Sequence, residues 1–206
     1  MARSKTSKRW LREHFADPYV QRAQREGWRA RGAFKLAEID RRDRILRPGM
    51  TIIDLGAAPG GWSQYASGRL AGKGRILALD LLRIDPLSGV DCIRGDFREQ
   101  TTLSTLLTAL GESRADLVMS DMAPNIGGVR SVDQPRAMLL AELARDLAVE
   151  VLRSRGDLLV KVFQGEGFDA LQADLRARFE KVVVRKPDAS RAGSRELYLL
   201  ARNYRL

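Results

Sequence analysis

Thr51–Trp62 reads TIIDLGAAPGGW, and the fold of the whole chain can be worked out from there. Residues 51–56 are a short apolar segment ending in Asp and Gly, as expected of a buried strand. Residues 57–61 form a tight loop, and residues 62–72 predict a helix that ends at glycine. Such a strand, glycine loop and helix let the backbone approach a ligand closely and present the free amides of the helix N-terminus to it.

Strands and helices continue to alternate along the chain. Apolar segments predict strands at residues 51–56, 75–81, 90–97, 115–124 and 157–165. Segments with helical spacing separate or follow them, at residues 62–72, 101–111, 134–156 and 168–179. Two last strands, 181–187 and 196–204, are joined by a loop too short for a crossover helix. The sequence therefore predicts an α/β fold of Rossmann-like type, with a mostly parallel sheet, helices on both faces and an antiparallel last strand.

The net charge of +10 is carried by the two ends of the chain. Residues 1–50 have a net charge of +8 and residues 181–206 of +5, whereas residues 51–180 have −3. Basic ends on a mildly acidic body favour a polyanion partner, most often nucleic acid. A surface that only keeps the protein soluble is the alternative, because charge runs alone are weak evidence.

The chain predicts a single domain behind a basic tail. Residues 1–12 contain five basic residues and no acid, and should stay flexible until a partner binds them. The domain should cover residues 13–206 and begin with a helical extension at about 13–46 that binds the nucleic acid. This extension should break near Gly27 and start again after Gly32.

The composition excludes several classes of protein. No apolar run approaches the roughly 20 residues of a membrane helix, and no apolar segment follows the basic N-terminus as in a signal peptide. The chain has one cysteine, Cys92, and one histidine, His14, so it forms no internal disulfide and we expect no metal site. We expect a monomer in the cytoplasm. Cys92, in a predicted strand, should be a small buried residue rather than a nucleophile.

Carboxylates end three of the predicted strands, namely Asp80, Asp96 and Asp121. Ligands of open α/β sheets bind beyond the carboxyl ends of the strands. There Asp80, 20 residues after Gly60, could accept hydrogen bonds from ribose hydroxyls. Asp96 and Phe97 could recognise the amino edge and the face of an adenine.

The glycine loop lacks the G-x-G-x-x-G pattern of a dinucleotide site. Pro59 stiffens the loop and removes an amide donor. This suits a cofactor without phosphate, such as S-adenosylmethionine, better than a pyrophosphate. A turn that serves only packing, and an oxidoreductase with a nucleotide cofactor, remain as alternatives.

A lysine, Lys161, interrupts the apolar strand DLLVKVFQG at residues 157–165. A lysine in a strand buried on both faces costs free energy unless other groups hold its charge. A lysine whose head reaches solvent at the strand end is the ordinary explanation.

The chain contains RARGAFKL, followed by DLGAAPGGWSQYA, DMAPNIGG, LLVKVFQG and RAGSRELYLLA. These motifs and their order resemble the RrmJ (FtsJ, RlmE) family of ribosomal RNA 2′-O-ribose methyltransferases, from about Trp28 to the C-terminus. The resemblance implies the S-adenosylmethionine-dependent methyltransferase fold, with a seven-stranded sheet whose last strand is antiparallel. It also implies cofactor contacts by Gly60, Trp62, Asp80, Asp96 and Asp121.

The resemblance further implies a catalytic tetrad of Lys35, Asp121, Lys161 and Glu196. The implied reaction is an in-line transfer of methyl from a sulfonium to a ribose 2′-hydroxyl. A neutral Lys161 could accept the hydroxyl proton, with Asp121 orienting it. Burial and the Lys35 cation would lower the pKa of Lys161 as this role requires, whereas the two acids would raise it. A charged Lys161 that stabilises the developing alkoxide is the alternative.

The substrate implied by the resemblance is large-subunit ribosomal RNA, at the uridine of the A loop, within an assembled subunit. The loop at residues 184–195 and the basic N-terminus should hold phosphates, with Arg29 and Arg31 as the nearest candidates. Other members of the wider family methylate transfer RNA or messenger RNA caps. A non-catalytic ribosome-assembly factor with the same fold is a further alternative, which the intact tetrad disfavours.

Overall fold

The computed structural model describes residues 17–124, 127–191 and 193–206, so the predicted tail at residues 1–12 lies outside the described residues. The described helices are α1 (Pro18–Arg25), α2 (Gly32–Asp43), α3 (Gly61–Leu70), α4 (Gln100–Leu110), α5 (Arg130–Val151) and α6 (Phe168–Arg178). The described strands are β1 (Thr51–Leu55), β2 (Arg75–Asp80), β3 (Val90–Arg94), β4 (Ala115–Ser120), β5 (Leu152–Phe163), β6 (Phe179–Arg185) and β7 (Glu196–Tyr204).

The strands form one sheet in the order β3–β2–β1–β4–β5–β7–β6. Strands β1 to β5 pair in parallel, whereas β7 is antiparallel to both β5 and β6. The predicted α/β fold with an antiparallel last strand is therefore confirmed. Strand order reverses between β1 and β4, so the carboxyl ends of these two strands border the crevice in which such sheets bind ligands.

Both faces of the sheet are buried, because successive side chains of each central strand point to opposite faces. On one face Ile53 and Leu55 of β1 pack in a core with apolar residues of α4, α5 and α6. On the other face Ile52 packs in a second core with residues of α2 and α3. The helical extension thus forms part of the core, and α2 is fixed above the sheet.

The extension breaks where the sequence predicts. Helix α1 ends at Arg25, Gly27 has a φ of 73°, and α2 starts at Gly32. Phe34 of α2 packs with Ala23 of α1 and with Ala189 of the β6–β7 loop, so the extension contacts this loop. Among the described residues, no helix is both long enough and apolar enough to cross a membrane.

The predicted helix at residues 134–156 is wrong at both ends. Helix α5 begins at Arg130 and ends at Val151, and β5 begins at Leu152. Ala115 of β4 pairs with Leu152, but Leu117 pairs with Asp157, so β5 carries a bulge. The exposed polar residues of the bulge look like the end of a helix in the sequence, although the pairing of Leu152 makes them part of a strand.

The prediction that Cys92 is buried is also wrong, because its side chain is exposed. Strand β3 is an edge strand that pairs only with β2, so its faces are less covered than those of the central strands. Partial burial still raises the pKa of the Cys92 thiol, which makes it a poor nucleophile at neutral pH.

Candidate active site

The register of the sheet brings the predicted tetrad to one edge. Ser120 pairs with Val160 in the parallel β4–β5 ladder, so Asp121 and Lys161 follow side by side. Strand β7 runs back along β5 and begins with Glu196 opposite Phe163. Lys35 reaches the same place from α2, which covers this end of the sheet.

The four side chains form a continuous chain of ion pairs. Lys161 Nζ lies 3.0 Å from Asp121 Oδ1 and 3.4 Å from Glu196 Oε2, and it also donates to the Asp121 carbonyl oxygen at 3.2 Å. Lys35 Nζ lies 2.6 Å from Glu196 Oε1. Two bases and two acids balance, so Lys161 can be almost fully buried without leaving a charge unpaired. The structure thus explains why a lysine stands in this strand.

Lys161 is charged in the free protein. Its burial alone would lower the pKa, but the negative charges of Asp121 and Glu196 outweigh this and raise the pKa of Lys161 above its usual value. Burial likewise opposes ionisation of Glu196, yet Lys161 and Lys35 hold the pKa of Glu196 at about 2. Both ion pairs are therefore formed at neutral pH.

Tyr198 belongs to the same cluster, although sequence reasoning missed it. Its hydroxyl lies 2.6 Å from Asp121 Oδ1 and 3.2 Å from Glu196 Oε1, and it can donate to one of them. Burial, followed by these two acids, raises the pKa of Tyr198 well above its usual value, so the hydroxyl keeps its proton. The spacing Glu196-Leu-Tyr198 puts both side chains on one face of β7, and this was the available signal.

Asp80 ties the glycine loop to the end of β2. Its Oδ2 accepts a hydrogen bond from the Ala58 amide at 2.9 Å, and its Oδ1 accepts one from Leu82 at 2.8 Å. Gly56 and Gly60 have φ values of 72° and 105°, in the left-handed region that favours glycine. A Cβ at Gly56 would come within 2.5 Å of Met122 Cγ, so the loop lies directly against the segment after β4.

In this structure, the side chains of Trp62 and Asp96 contact other residues of the protein. The Trp62 indole is buried in the core, where its Nε1 donates to the Gly32 carbonyl at 2.8 Å. Asp96 accepts hydrogen bonds from Arg98, with the closest oxygen and nitrogen 2.5 Å apart. Cofactor contacts by these two residues remain predictions.

Asp54 is a second residue that sequence reasoning missed. This fully buried carboxylate lies in β1, two residues before Gly56, and its Oδ2 accepts a hydrogen bond from the Ser63 hydroxyl at 2.6 Å. Its Oδ1 has no hydrogen-bond partner among the described residues. Burial raises the pKa of Asp54 to about 7, although the hydrogen bond from Ser63 acts in the opposite direction.

These groups fit a cationic cofactor without phosphate. Asp80 ends β2 and Asp121 follows β4, the two strands that flank β1 and its glycine loop, so a pyrophosphate would be repelled there. A sulfonium and a ribose with free hydroxyls would instead find acceptors there. The residues present therefore fit S-adenosylmethionine.

The two arginines predicted to bind RNA lie just before the first residue of α2, Gly32, and contact different parts of the protein. Arg29 donates to three backbone carbonyls near the glycine loop. Arg31 contacts the carboxylate of Asp17 and the carbonyl of Ala189. Their RNA contacts remain predictions. Within residues 17–124, 127–191 and 193–206, no group of three or more His, Cys, Asp or Glu side chains could hold a metal ion.

Known proteins resemble this chain over nearly its whole length. The FtsJ-like methyltransferase family matches residues 28–204. Ribosomal RNA large subunit methyltransferase E of Pseudomonas paraeruginosa is 59% identical over 205 residues, which cover 100% of this chain and 99% of that protein. The protein of the same name from Legionella pneumophila is 54% identical over 206 residues, covering both chains completely.

A solved structure has the same fold. The crystal structure of a ribosomal RNA methyltransferase from Plasmodium falciparum matches with a TM-score of 0.75 and 25% identity. The match covers 86% of this chain and 98% of that chain. From the site, the fold and the extent of these matches it follows that the chain belongs to the FtsJ-like methyltransferase family.

Proposed function

We propose that this protein transfers a methyl group from S-adenosylmethionine to the 2′-hydroxyl of a uridine in large-subunit ribosomal RNA. The observation that carries the proposal is the chain of ion pairs from Asp121 through Lys161 and Glu196 to Lys35, at the carboxyl edge of the sheet. It lies beside a glycine loop that fits a cofactor without phosphate. The bound cofactor would supply an electrophilic methyl group next to these residues.

Lys161 stabilises the oxygen that attacks the methyl group. Because its pKa is raised in the free protein, Lys161 enters the reaction as an ammonium ion. An ammonium ion beside O2′ favours loss of the hydroxyl proton and stabilises the developing negative charge. The hydroxyl proton would leave to solvent as O2′ takes up the methyl group that the bound cofactor would supply. Asp121 orients Lys161, and Lys35 holds Glu196.

A groove next to the tetrad supports an RNA substrate. This groove, of about 820 Å³, lies between the start of α1 and the β6–β7 loop. Its volume is in the range of pockets that hold a ligand of nucleotide size. It is lined by Asp17, Pro18, Tyr19, Arg31, Lys186, Pro187, Asp188, Ser190, Arg191 and Gly193. Ser190 Oγ donates to Glu196 Oε1 at 3.0 Å, so the groove directly adjoins the tetrad.

The charges of the groove suit an RNA strand. Burial and the nearby Arg191 cation lower the pKa of Arg31, whose guanidinium also contacts the Asp17 carboxylate. A phosphate between Arg31, Arg191 and Lys186 would be held by charge-assisted hydrogen bonds. The names of the relatives support ribosomal RNA as the substrate. The uridine of the A loop and the assembled subunit are proposed from the family resemblance.

The test is a methylation assay with labelled S-adenosylmethionine. Unmodified large ribosomal subunits, free ribosomal RNA and transfer RNA would be offered in parallel, and the RNA digested to nucleosides. We expect label in 2′-O-methyluridine with assembled subunits, and its loss with Lys161→Ala. Lys181→Ala, an exposed lysine of β6, is the matched control and should retain activity.

Other outcomes would contradict specific parts of the proposal. Label on a base would exclude a ribose methyltransferase. Label in transfer RNA alone would exclude ribosomal RNA as the substrate. Tight binding to subunits without any label would favour a non-catalytic assembly factor.

A further inference from the structure

Arg29 joins two loops that flank the cofactor site. Its Nη1 donates to the Asp85 carbonyl at 2.6 Å and to the Pro59 carbonyl at 3.3 Å, and its Nη2 donates to the Pro86 carbonyl at 2.7 Å. Pro59 belongs to the glycine loop, whereas Asp85 and Pro86 belong to the loop between β2 and β3. One guanidinium therefore fixes the distance between these two loops.

The position of Arg29 is itself fixed by α3. The Arg29 amide donates to Gln64 Oε1 at 2.9 Å, and Gln64 Nε2 donates to the Gly27 carbonyl at 2.9 Å. A Cβ at Gly60 would lie 3.1 Å from both Arg29 Nη1 and Leu87 Cδ1, so the guanidinium packs closely against the glycine loop and the β2–β3 loop. These contacts leave the backbone of Arg29 little freedom to move with an RNA strand.

The two joined loops continue directly into residues of the cofactor site. The glycine loop leads into the N-terminal amides of α3, and the β2–β3 loop begins just after Asp80. Asp80 ties the loops together from the strand end, through the Ala58 amide, while Arg29 ties them together from the outside. A change in their separation would move the amides and the carboxylate relative to each other.

We propose that Arg29 is a positioning residue for S-adenosylmethionine, and that it acts by holding the two cofactor loops at a fixed separation. This inference rests on the proposed function, since it takes the cofactor from there. It differs from the prediction that Arg29 binds an RNA phosphate. Three carbonyl acceptors occupy most of the donors of one guanidinium, and a lysine could not span them with the same geometry.

The test separates cofactor binding from RNA binding. Titration calorimetry would measure the Kd for S-adenosylmethionine with wild type, Arg29→Ala, Arg29→Lys and the control Arg25→Ala, which removes an exposed cation from α1. We expect the two Arg29 variants to bind the cofactor about tenfold or more weakly, because charge-assisted hydrogen bonds are lost. Arg25→Ala should bind the cofactor as wild type does. RNA affinity of Arg29→Ala should match that of Arg25→Ala.

Kinetics provide a second readout. The KM for S-adenosylmethionine should rise in Arg29→Ala, while kcat at saturating cofactor should stay near that of wild type. A cofactor Kd within twofold of wild type would overturn the inference, as would a loss of RNA affinity with unchanged cofactor affinity. A kcat that falls together with the unfolding temperature would instead indicate general destabilisation and also overturn it. If wild type itself does not bind S-adenosylmethionine, the proposed function fails rather than the role of Arg29.

Discussion

At the scale of single residues, the tetrad depends on charge balance. Lys161 is buried beside two carboxylates, and each acid is in turn held by another group, Glu196 by Lys35 and Asp121 by Tyr198. Removing one member would leave a buried charge without its partner, which costs far more than the net stabilisation of the pair. The site is therefore electrostatically preorganised before substrates bind.

The rate of methyl transfer should not depend on pH between 7 and 9. If the charged form of Lys161 is the active one, its raised pKa keeps it fully protonated throughout this range. If neutral Lys161 were required, kcat would rise about tenfold per pH unit, because the neutral fraction rises by that factor below the pKa. Measuring kcat at saturating cofactor and RNA at four pH values separates the two. A slope of one in a plot of log kcat against pH would instead support neutral Lys161 as the proton acceptor.

Asp54 should make the folded state less stable as pH rises. Its pKa is about 7 in the folded protein and near 3.8 in the unfolded chain, so the folded state binds the proton more tightly. Its contribution to stability is full below the unfolded pKa and is lost between about pH 4 and pH 7, at up to about 1.4 kcal/mol per pH unit. Above pH 7 no further loss is expected from this group.

Urea unfolding at pH 5, 6, 7 and 8 would show this dependence as a difference between wild type and Asp54→Asn. The amide cannot ionise, so stability of the variant relative to wild type should increase with pH. Asp169→Asn, at an exposed position of α6, is the control and should show no such trend. Parallel pH profiles for wild type and Asp54→Asn would mean that Asp54 is ionised in the fold.

At the scale of elements, Asp40 links the helical extension to the domain. This buried carboxylate of α2 accepts hydrogen bonds from the Leu46 amide at 2.9 Å, the Tyr65 hydroxyl at 3.1 Å and Arg69 Nε at 3.0 Å. Tyr65 and Arg69 belong to α3, so one side chain joins two helices and the segment leading to β1. Burial, together with Asp40, raises the pKa of Tyr65 to about 12.

Asp40→Ala should lower the free energy of unfolding by about 2–4 kcal/mol, because it leaves the buried Leu46 amide and the partly buried Tyr65 hydroxyl without an acceptor. Arg69→Ala removes only the half-exposed partner and should cost less than about 1 kcal/mol. Urea unfolding of both variants measures the contrast. Equal losses of unfolding free energy in the two variants would show that Asp40 stabilises the fold through its ion pair with Arg69 rather than through the buried hydrogen bonds.

The element pattern was predictable because hydrophobic periodicity reflects which faces are buried. The glycine loop, the alternating strands and the antiparallel β7 all follow from local sequence. The bulge at the start of β5 does not, since it depends on the register against Ala115. The exposure of Cys92 depends on the edge position of β3, which local sequence does not encode. Asp54 and Tyr198 lie inside the quoted motifs, but their roles depend on contacts with Ser63 and Asp121 that only the fold brings about. The contacts of Arg29 are made to backbone carbonyls that any sequence possesses.

At the scale of the whole molecule, basic residues lie around one edge of the protein, whereas residues 51–180 have a net charge of −3. The β6–β7 loop brings Lys186 and Arg191 to the groove beside the tetrad, together with Arg31 from the start of α2. Charge in this arrangement can both steer an RNA strand to the site and hold its phosphates. The logarithm of the RNA affinity should then fall as the logarithm of the salt concentration rises. The slope should be proportional to the number of phosphates contacted.

Removing a groove cation should reduce this salt dependence. Each lost phosphate contact lowers the slope of log Kd against log salt by about 0.7 for single-stranded and 0.9 for duplex RNA, by analogy with DNA. We expect Lys186→Ala and Arg191→Ala each to do so, with the double variant showing nearly the sum. Lys73→Ala is the matched control, because Lys73 lies before β2, at the opposite edge of the sheet. It removes one charge from the same protein and should leave the slope unchanged. If all three variants lower the slope equally, RNA responds to net charge alone, and the groove beside the tetrad is not where its phosphates bind.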